Sequence, residues 1–167
     1  MRYFKKIEFE CKCCRELPAD AWMNIDALVG MLESVRDKFG RPIKVNSGYR
    51  CEKHNRKVGG ARNSQHMTGE AADIAAEHNG YTNMTAWKEA NRLVAGLIIR
   101  EGKFDQLILE NVGEKDLLPQ WVHVSFSRRC NRGQVLKKVA GKKGYVALTS
   151  DEICSLLGSR FKFQGSR

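Results

Sequence analysis

At 167 residues the chain is long enough to bury one respectable core, and one compact domain with appendages is expected rather than two full domains. A hydrophobic content of 42% with 29% charged residues excludes wholesale disorder, and no apolar stretch reaches the length that spans a bilayer. The formal charge of +10 and a pI near 9.5 predict attraction to polyanions, whether nucleic acid, an anionic membrane surface or an acidic wall polymer, without choosing among them.

The opening MRYFKKIEFECK starts basic but lacks the apolar run and small-residue cleavage site of a secretory signal, so synthesis in the cytoplasm is expected, with another exit needed for action outside. Residues 18–39 predict a first helix, with Ile25, Leu28, Val29, Leu32, Val35 and Phe39 on one face, Pro18 and Asp20 near its start, and Gly40 where a stop belongs. A short strand over 42–46 follows, with Ile43 and Val45 alternating against Lys44 and Asn46. From Ser47 to Thr68 the sequence SGYRCEKHNRKVGGARNSQHMT is polar and without apolar period. It reads as one long loop, and a loop of that length in a compact domain directs the search for chemistry to itself.

A second helix is predicted over about 84–100 from the recurrence of Trp87, Ala90, Val94, Leu97 and Ile98. Two strands, FDQLILE at 104–110 and WVHVSF at 121–126, come next, joined by NVGEKDLLPQ. The tail predicts a strand-like run at 145–148 and a short helix opened by a capping box of Thr149 and Glu152, carrying Ile153, Leu156 and Leu157 and closed by Gly158. The domain division expected is 1–136 for the main body and 137–167 for a basic C-terminal extension.

Six cysteines, Cys11, Cys13, Cys14, Cys51, Cys130 and Cys154, are an even number. A disulfide framework is disfavoured, because Cys13 and Cys14 are adjacent and a reducing compartment keeps thiols free. The CKCC trio could bind a structural zinc with a distant thiolate or His, although its spacing is not the CxxC of ordinary zinc knuckles; plain buried or exposed thiols are the other reading.

The histidines bear more weight. His66 and Asp73 lie seven apart with Gly69 between, a spacing that brings a loop imidazole and a strand carboxylate to one point if the glycine makes the turn. In WVHVSF, alternation puts Trp121, His123 and Ser125 on one face and Val122, Val124 and Phe126 on the other, so His123 leaves the aliphatic side. Two imidazoles and a carboxylate form a suitable set for Zn²⁺ with a fourth position open for water. Taken singly, each of the three is better read in a bland role, as a surface or hydrogen-bonded histidine or a turn aspartate, because metal sites are rare.

Read together, SQHMTGEAAD at 64–73 fits SxHxxGxAxD through Ser64, His66, Gly69, Ala71 and Asp73, and WVHVS supplies His123. This resembles the zinc D-alanyl-D-alanine carboxypeptidase family, which includes D-Ala-D-Ala dipeptidases and phage endolysins. Ser47 to Arg50 (SGYR), His54, Asn55 and the Gly59-Gly60 pair look like the same family, particularly its small phage and prophage members, so that the resemblance covers about residues 5–136. It implies an α+β fold of hedgehog/DD-peptidase type, a small antiparallel sheet with packed helices and one catalytic zinc in a groove over the sheet. His66, Asp73 and His123 match the family's ligands, while Arg50 and Ser64 are the implied substrate contacts, Arg50 also steadying a developing oxyanion.

One departure is specific. Many family members place a carboxylate three residues before the last histidine as general base, and here that position holds Gln120, an amide that cannot shuttle a proton. Either Glu110, at the end of the preceding strand, does the work, or the protein is a zinc-bearing wall-binding module, or the position carries a deliberate change. The expected function is a zinc metallopeptidase hydrolysing a peptidoglycan bond next to a D-amino acid, as carboxypeptidase or endopeptidase. Its implied partners are peptidoglycan or muropeptides, met as a monomer after phage-type release. A basic nucleic-acid-binding protein with a Cys-bound zinc is the third reading, but the sequence has no recognition motif and no aromatics interleaved with its basic residues, so no specific nucleic acid is expected.

Overall fold

The structure is a computed structural model describing residues 2–158. Its elements in chain order are α1 (Ala19–Phe39), β1 (Ile43–Ser47), α2 (Glu52–Lys57), β2 (Ala71–Ala76), α3 (Met84–Glu101), β3 (Gln106–Val112), β4 (Trp121–Ser125), β5 (Gln134–Val139), β6 (Val146–Ala147) and α4 (Ser150–Leu157), with short 3-10 turns at Lys6–Phe9 and Gln65–Thr68. The class is mixed α+β. The predicted first helix ends where its sequence says, at Gly40, whose left-handed φ of 71° lets its N–H donate to the Arg36 carbonyl. The segment expected as one loop at 47–68 contains α2 and the 3-10 turn that carries His66.

The strands form one sheet in the order β1-β2-β4-β3-β5-β6. It is not wholly antiparallel, as the sequence led us to expect: β3 and β5 run parallel. The reason is topological. Both are antiparallel in direction to β4, and the chain leaving β4 passes beneath the end of β3 instead of turning back beside β4, so β3 and β5 must point the same way. Strand β5 was not foreseen, and the boundary expected between 136 and 137 falls inside it. Of the expected extension, residues 159–167 lie outside the described residues.

One face of the sheet is apolar and takes the helices. Val45, Ala72, Ile74, Leu107, Leu109, Val122 and Val124 join Leu28, Leu32 and Val35 of α1 and Val94 and Ile98 of α3 in a single buried cluster. The side chains alternating with these on β2, β3 and β4 are Asp73, Ile108, Glu110, Trp121 and His123, which all line a cleft on the opposite face. Helix α4 closes on α3: Leu156 is buried, a Cβ on Gly96 would meet the Leu156 carbonyl at 2.7 Å, and Arg92 Nη2 donates to the Ser155 carbonyl at 2.9 Å. Among the described residues no helix is long and apolar enough to cross a membrane.

The crossing beneath β3 is tied by Asp105. Its buried carboxylate accepts from the Arg132 backbone N–H and Nε at 2.9 Å each, from Arg132 Nη2 at 2.6 Å and from Gln65 Nε2 at 2.9 Å, joining the entry to β3, the entry to β5 and the turn beside His66. The Arg132 guanidinium holds the Asp105 carboxyl down to about 2, against the opposing effect of burial. A group depressed in the native state stabilises the fold fully above its ordinary value of 3.8 and loses that contribution as pH falls towards about 2. Unfolding followed across this acid range should therefore show a steeper loss of stability in the parent than in Asp105→Asn, and the variant should already be weaker by about 1–3 kcal/mol at neutral pH.

Candidate metal centre

The site is laid out by strand register. Asp73 of β2 lies directly opposite His123 of β4, and His123 lies opposite Ile108 of β3; across the other edge Ser47 of β1 pairs with Asp73 after a local irregularity at Val45/Ser47. Cross-strand partners have Cβ atoms about 5 Å apart, so the imidazole and the carboxylate meet without any loop having to deliver them. His66 comes from the 3-10 turn just before β2. Ser64 caps that turn by accepting from the His66 N–H at 3.4 Å, and Gly69 ends it with φ of 75°. A Cβ on Gly69 would lie 2.3 Å from the Ala21 carbonyl of α1, so both the turn and the close packing require glycine there.

The three ligand atoms converge. His66 Nε2 is 3.2 Å from His123 Nδ1, His123 Nδ1 is 3.0 Å from Asp73 Oδ1, and His66 Nε2 is 3.3 Å from the same oxygen. Ions with ligand bonds near 2.0–2.1 Å in tetrahedral array put neighbouring donor atoms about 3.3–3.4 Å apart, so this triangle fits one small divalent ion with a fourth direction left to the cleft. Each donor is aimed by a second contact. His66 Nδ1 donates to the Gly48 carbonyl at 2.7 Å, which fixes the tautomer and leaves the Nε2 lone pair facing the triangle. Arg50 Nη2 pairs with Asp73 Oδ2 while its Nε donates to Ser47 Oγ at 2.9 Å, leaving Oδ1 to the ion. The Arg50 N–H also donates to the His66 carbonyl at 3.0 Å, so the segment 48–50 straps His66 from two sides.

Burial works against a charge on Asp73, but the adjoining His123 and His66 rings hold its carboxyl far below the usual carboxylate range. Glu110 behaves oppositely. Burial pushes its carboxyl up, with His123 opposing and the Asp73 charge adding to the rise.

The cleft over this centre is about 680 Å³. Arg50, Ser64, His66, Asp73, Glu110 and His123, all expected site residues, line it. Gln120 does not. It precedes β4, and its backbone is spent on the fold, the N–H donating to the Glu110 carbonyl at 3.0 Å and the carbonyl accepting from Asn91 Nδ2 at 2.9 Å. Ile108, Trp121 and Tyr145 also line the cleft and were not singled out in the sequence; alternation on the His123 strand pointed to Trp121, but nothing local marked Tyr145. Asn55, Gly59 and Gly60 act in packing and lining: Asn55 Nδ2 donates to the Ala61 carbonyl at 2.9 Å, and a Cβ on Gly60 would collide with Asn55 Oδ1.

A family description, Peptidase M15, matches residues 2–105. The Zinc D-Ala-D-Ala carboxypeptidase of Streptomyces albus G is similar, 48% identical over 59 residues, a stretch that is 34% of this chain and 23% of that protein. The match thus takes in less than a quarter of the relative's length. His66 and Asp73 fall within the residues matched by the family, whereas Glu110 and His123 lie beyond them and are brought to the site by the sheet register.

Two outcomes are expected from this geometry. Arg50→Ala frees the second oxygen of Asp73 and should weaken divalent-ion binding by about 10–100-fold, read by competition with a chromophoric chelator. Gly69→Ala should cost about 1–3 kcal/mol in urea unfolding from backbone strain alone, before the clash with α1 is counted.

Proposed function

The chain belongs to the peptidase M15 family, and from that premise we propose that it is a zinc-dependent peptidase that hydrolyses a bacterial cell-wall peptide next to a D-amino acid, on a fold of hedgehog/DD-peptidase type. The observation that carries the reading is the triangle of His66 Nε2, His123 Nδ1 and Asp73 Oδ1 on the floor of a cleft that also contains a half-buried carboxylate, Glu110. The donor set of two nitrogens and one oxygen suits zinc, the ion in the name of the similar carboxypeptidase. When bound, that ion acidifies a water and polarises the scissile carbonyl.

The chain's own residues supply the rest. Glu110 sits on β3 two residues beyond Ile108, the cross-strand partner of His123, which puts it about 7 Å along the strand from the metal row. Its raised carboxyl lies closer to neutrality than an exposed glutamate, as suits a group that takes a proton from the attacking water and hands it to the departing amine. Arg50 is held by Ser47 and Asp73 through Nε and Nη2, and in this reading Nη1 donates to the substrate oxygen as negative charge develops there. Trp121, Ile108 and Tyr145 offer apolar walls to the peptide, and the net charge of +10 favours residence on an anionic wall. Glu110 is among the residues lining the cleft and Gln120 is not, which supports Glu110 as the base and a cutting enzyme over a module that only binds.

The test is mass spectrometry of the products from purified peptidoglycan and defined muropeptides, with and without a chelator. Chelator-sensitive release of peptide fragments or a terminal D-amino acid is expected, and intact substrate under both conditions would overturn the proposal. Glu110→Gln should lower kcat by about 10²–10⁴ with zinc content unchanged, whereas Gln120→Glu should leave the rate as it was.

A further inference from the structure

The N-terminal segment holds a second cluster of metal-ligating side chains that the peptidase reading does not use. Cys11, Cys13 and Cys14 occupy a turn closed by the Arg15 N–H donating to the Cys11 carbonyl at 2.8 Å and the Cys11 N–H donating to the Glu16 carbonyl at 2.9 Å. Arg15 takes a left-handed φ of 60° to complete it. The turn lies against Cys51, at the start of α2, and the four sulfurs all stand within 4.8 Å of one another. Cys11 and Cys13 are 3.6 Å apart and Cys13 and Cys51 are 3.4 Å apart, far beyond the 2.05 Å of a disulfide. A tetrahedral tetrathiolate site with metal–sulfur bonds near 2.3 Å has edges of about 3.8 Å, so these two separations fall within about 0.4 Å of that shape and all four sulfurs lie within reach of one ion.

Two backbone donors already point at these sulfurs. The Cys51 N–H lies 3.4 Å from Cys11 Sγ, and the His54 N–H lies 3.4 Å from Cys51 Sγ, so two of the four sulfurs already accept from main-chain donors. Four thiolates around a divalent ion leave a net charge of about −2, and Lys12 and Arg15 within the same turn supply cations beside it.

We propose that Cys11, Cys13, Cys14 and Cys51 form a structural zinc site, closed to substrate and distinct from the centre at His66, Asp73 and His123. Its task follows from its neighbours. Cys51 immediately succeeds Arg50, which pairs with Asp73, and lies three residues from Gly48, whose carbonyl orients His66. The same segment rests on the N-terminal strip: the Tyr49 N–H donates to the Phe9 carbonyl at 2.8 Å, and a Cβ on Gly48 would lie 2.5 Å from Phe9 Cα. An ion gripping both Cys11–Cys14 and Cys51 fastens the strip to the segment that aims the other centre's ligands.

Metal analysis of the dialysed full-length protein tests this. Two zinc ions per chain are expected, falling to one in Cys13→Ser/Cys14→Ser and to one in His66→Ala/His123→Ala. Cys13 and Cys14 are exposed, so their replacement leaves the core untouched. Loading the histidine double variant with cobalt should give the intense thiolate-to-metal charge-transfer absorption of a tetrahedral sulfur site, and the cysteine variant should lack it. One zinc in the parent and none in the histidine variant would overturn the thiolate site while leaving the peptidase reading intact; one in the parent, retained in the histidine variant, would do the reverse. Fewer than four titratable thiols in metal-stripped, denatured Cys130→Ser/Cys154→Ser protein would show a disulfide in the cluster and also overturn it.

Discussion

The pairing of β2 with β4 is the constraint on which the site rests. Asp73 and His123 face each other because that register also buries Ala72, Ile74, Val122 and Val124 on the helix side. A slip of one residue would turn the aspartate into the apolar core and an alanine or isoleucine into the cleft, an exchange that the hydrophobic pattern of both strands forbids. The same free energy that assembles the core thus fixes the separation of two ligand atoms to within a few tenths of an ångström. His66 is added to this pair by a turn that only glycine can finish.

Holding a carboxylate nine-tenths out of water is costly unless it is paired, and Asp73 is paired on both sides. Arg50 takes one oxygen while the imidazoles lie against the other, so the guanidinium compensates the charge before any ion arrives. This arrangement preorganises the donors, and it also explains why the segment from Ser47 to Cys51 is strapped so thoroughly: its serine hydroxyl, glycine carbonyl and arginine each act on a ligand or on the group that orients one. Glu110 stands apart from that network, on the same cleft face but on another strand, with a proton affinity set by burial and not by a fixed partner.

Much of this was legible in the sequence, for physical reasons that differ by segment. Helices α1 and α3 have long apolar stripes with capping residues in place, and the capping box of Thr149 and Glu152 marked α4. His66, Asp73 and His123, the group that could hold a metal, were legible because motif spacing and strand alternation are both local. Helix α2 was missed because EKHNRK has no apolar stripe; it is held by the buried Asn55 and by a cap on Cys51 Sγ. Strand β5 was missed because Lys137 and Lys138 interrupt its alternation. Gln120 drew attention by counting along the chain, whereas the cleft lining is assembled across the sheet and takes in Glu110. The partner of the CKCC thiols could only be guessed at as some distant residue, since Cys51 lies 38 positions from Cys13 and meets it solely through the fold.

The cleft takes its floor and its rim from separate stretches of chain. The floor belongs to β2, β3, β4 and the turn before β2, but Tyr145 reaches the rim from the connection between β5 and β6, at the outer margin of the sheet where pairing is short and side chains are exposed. Nothing in the ion-holding row depends on that outer hairpin. Exchanging the hairpin would therefore leave His66, Asp73 and His123 where they are, so that the shape of the cleft mouth and the grip on an ion are set by independent parts of the chain.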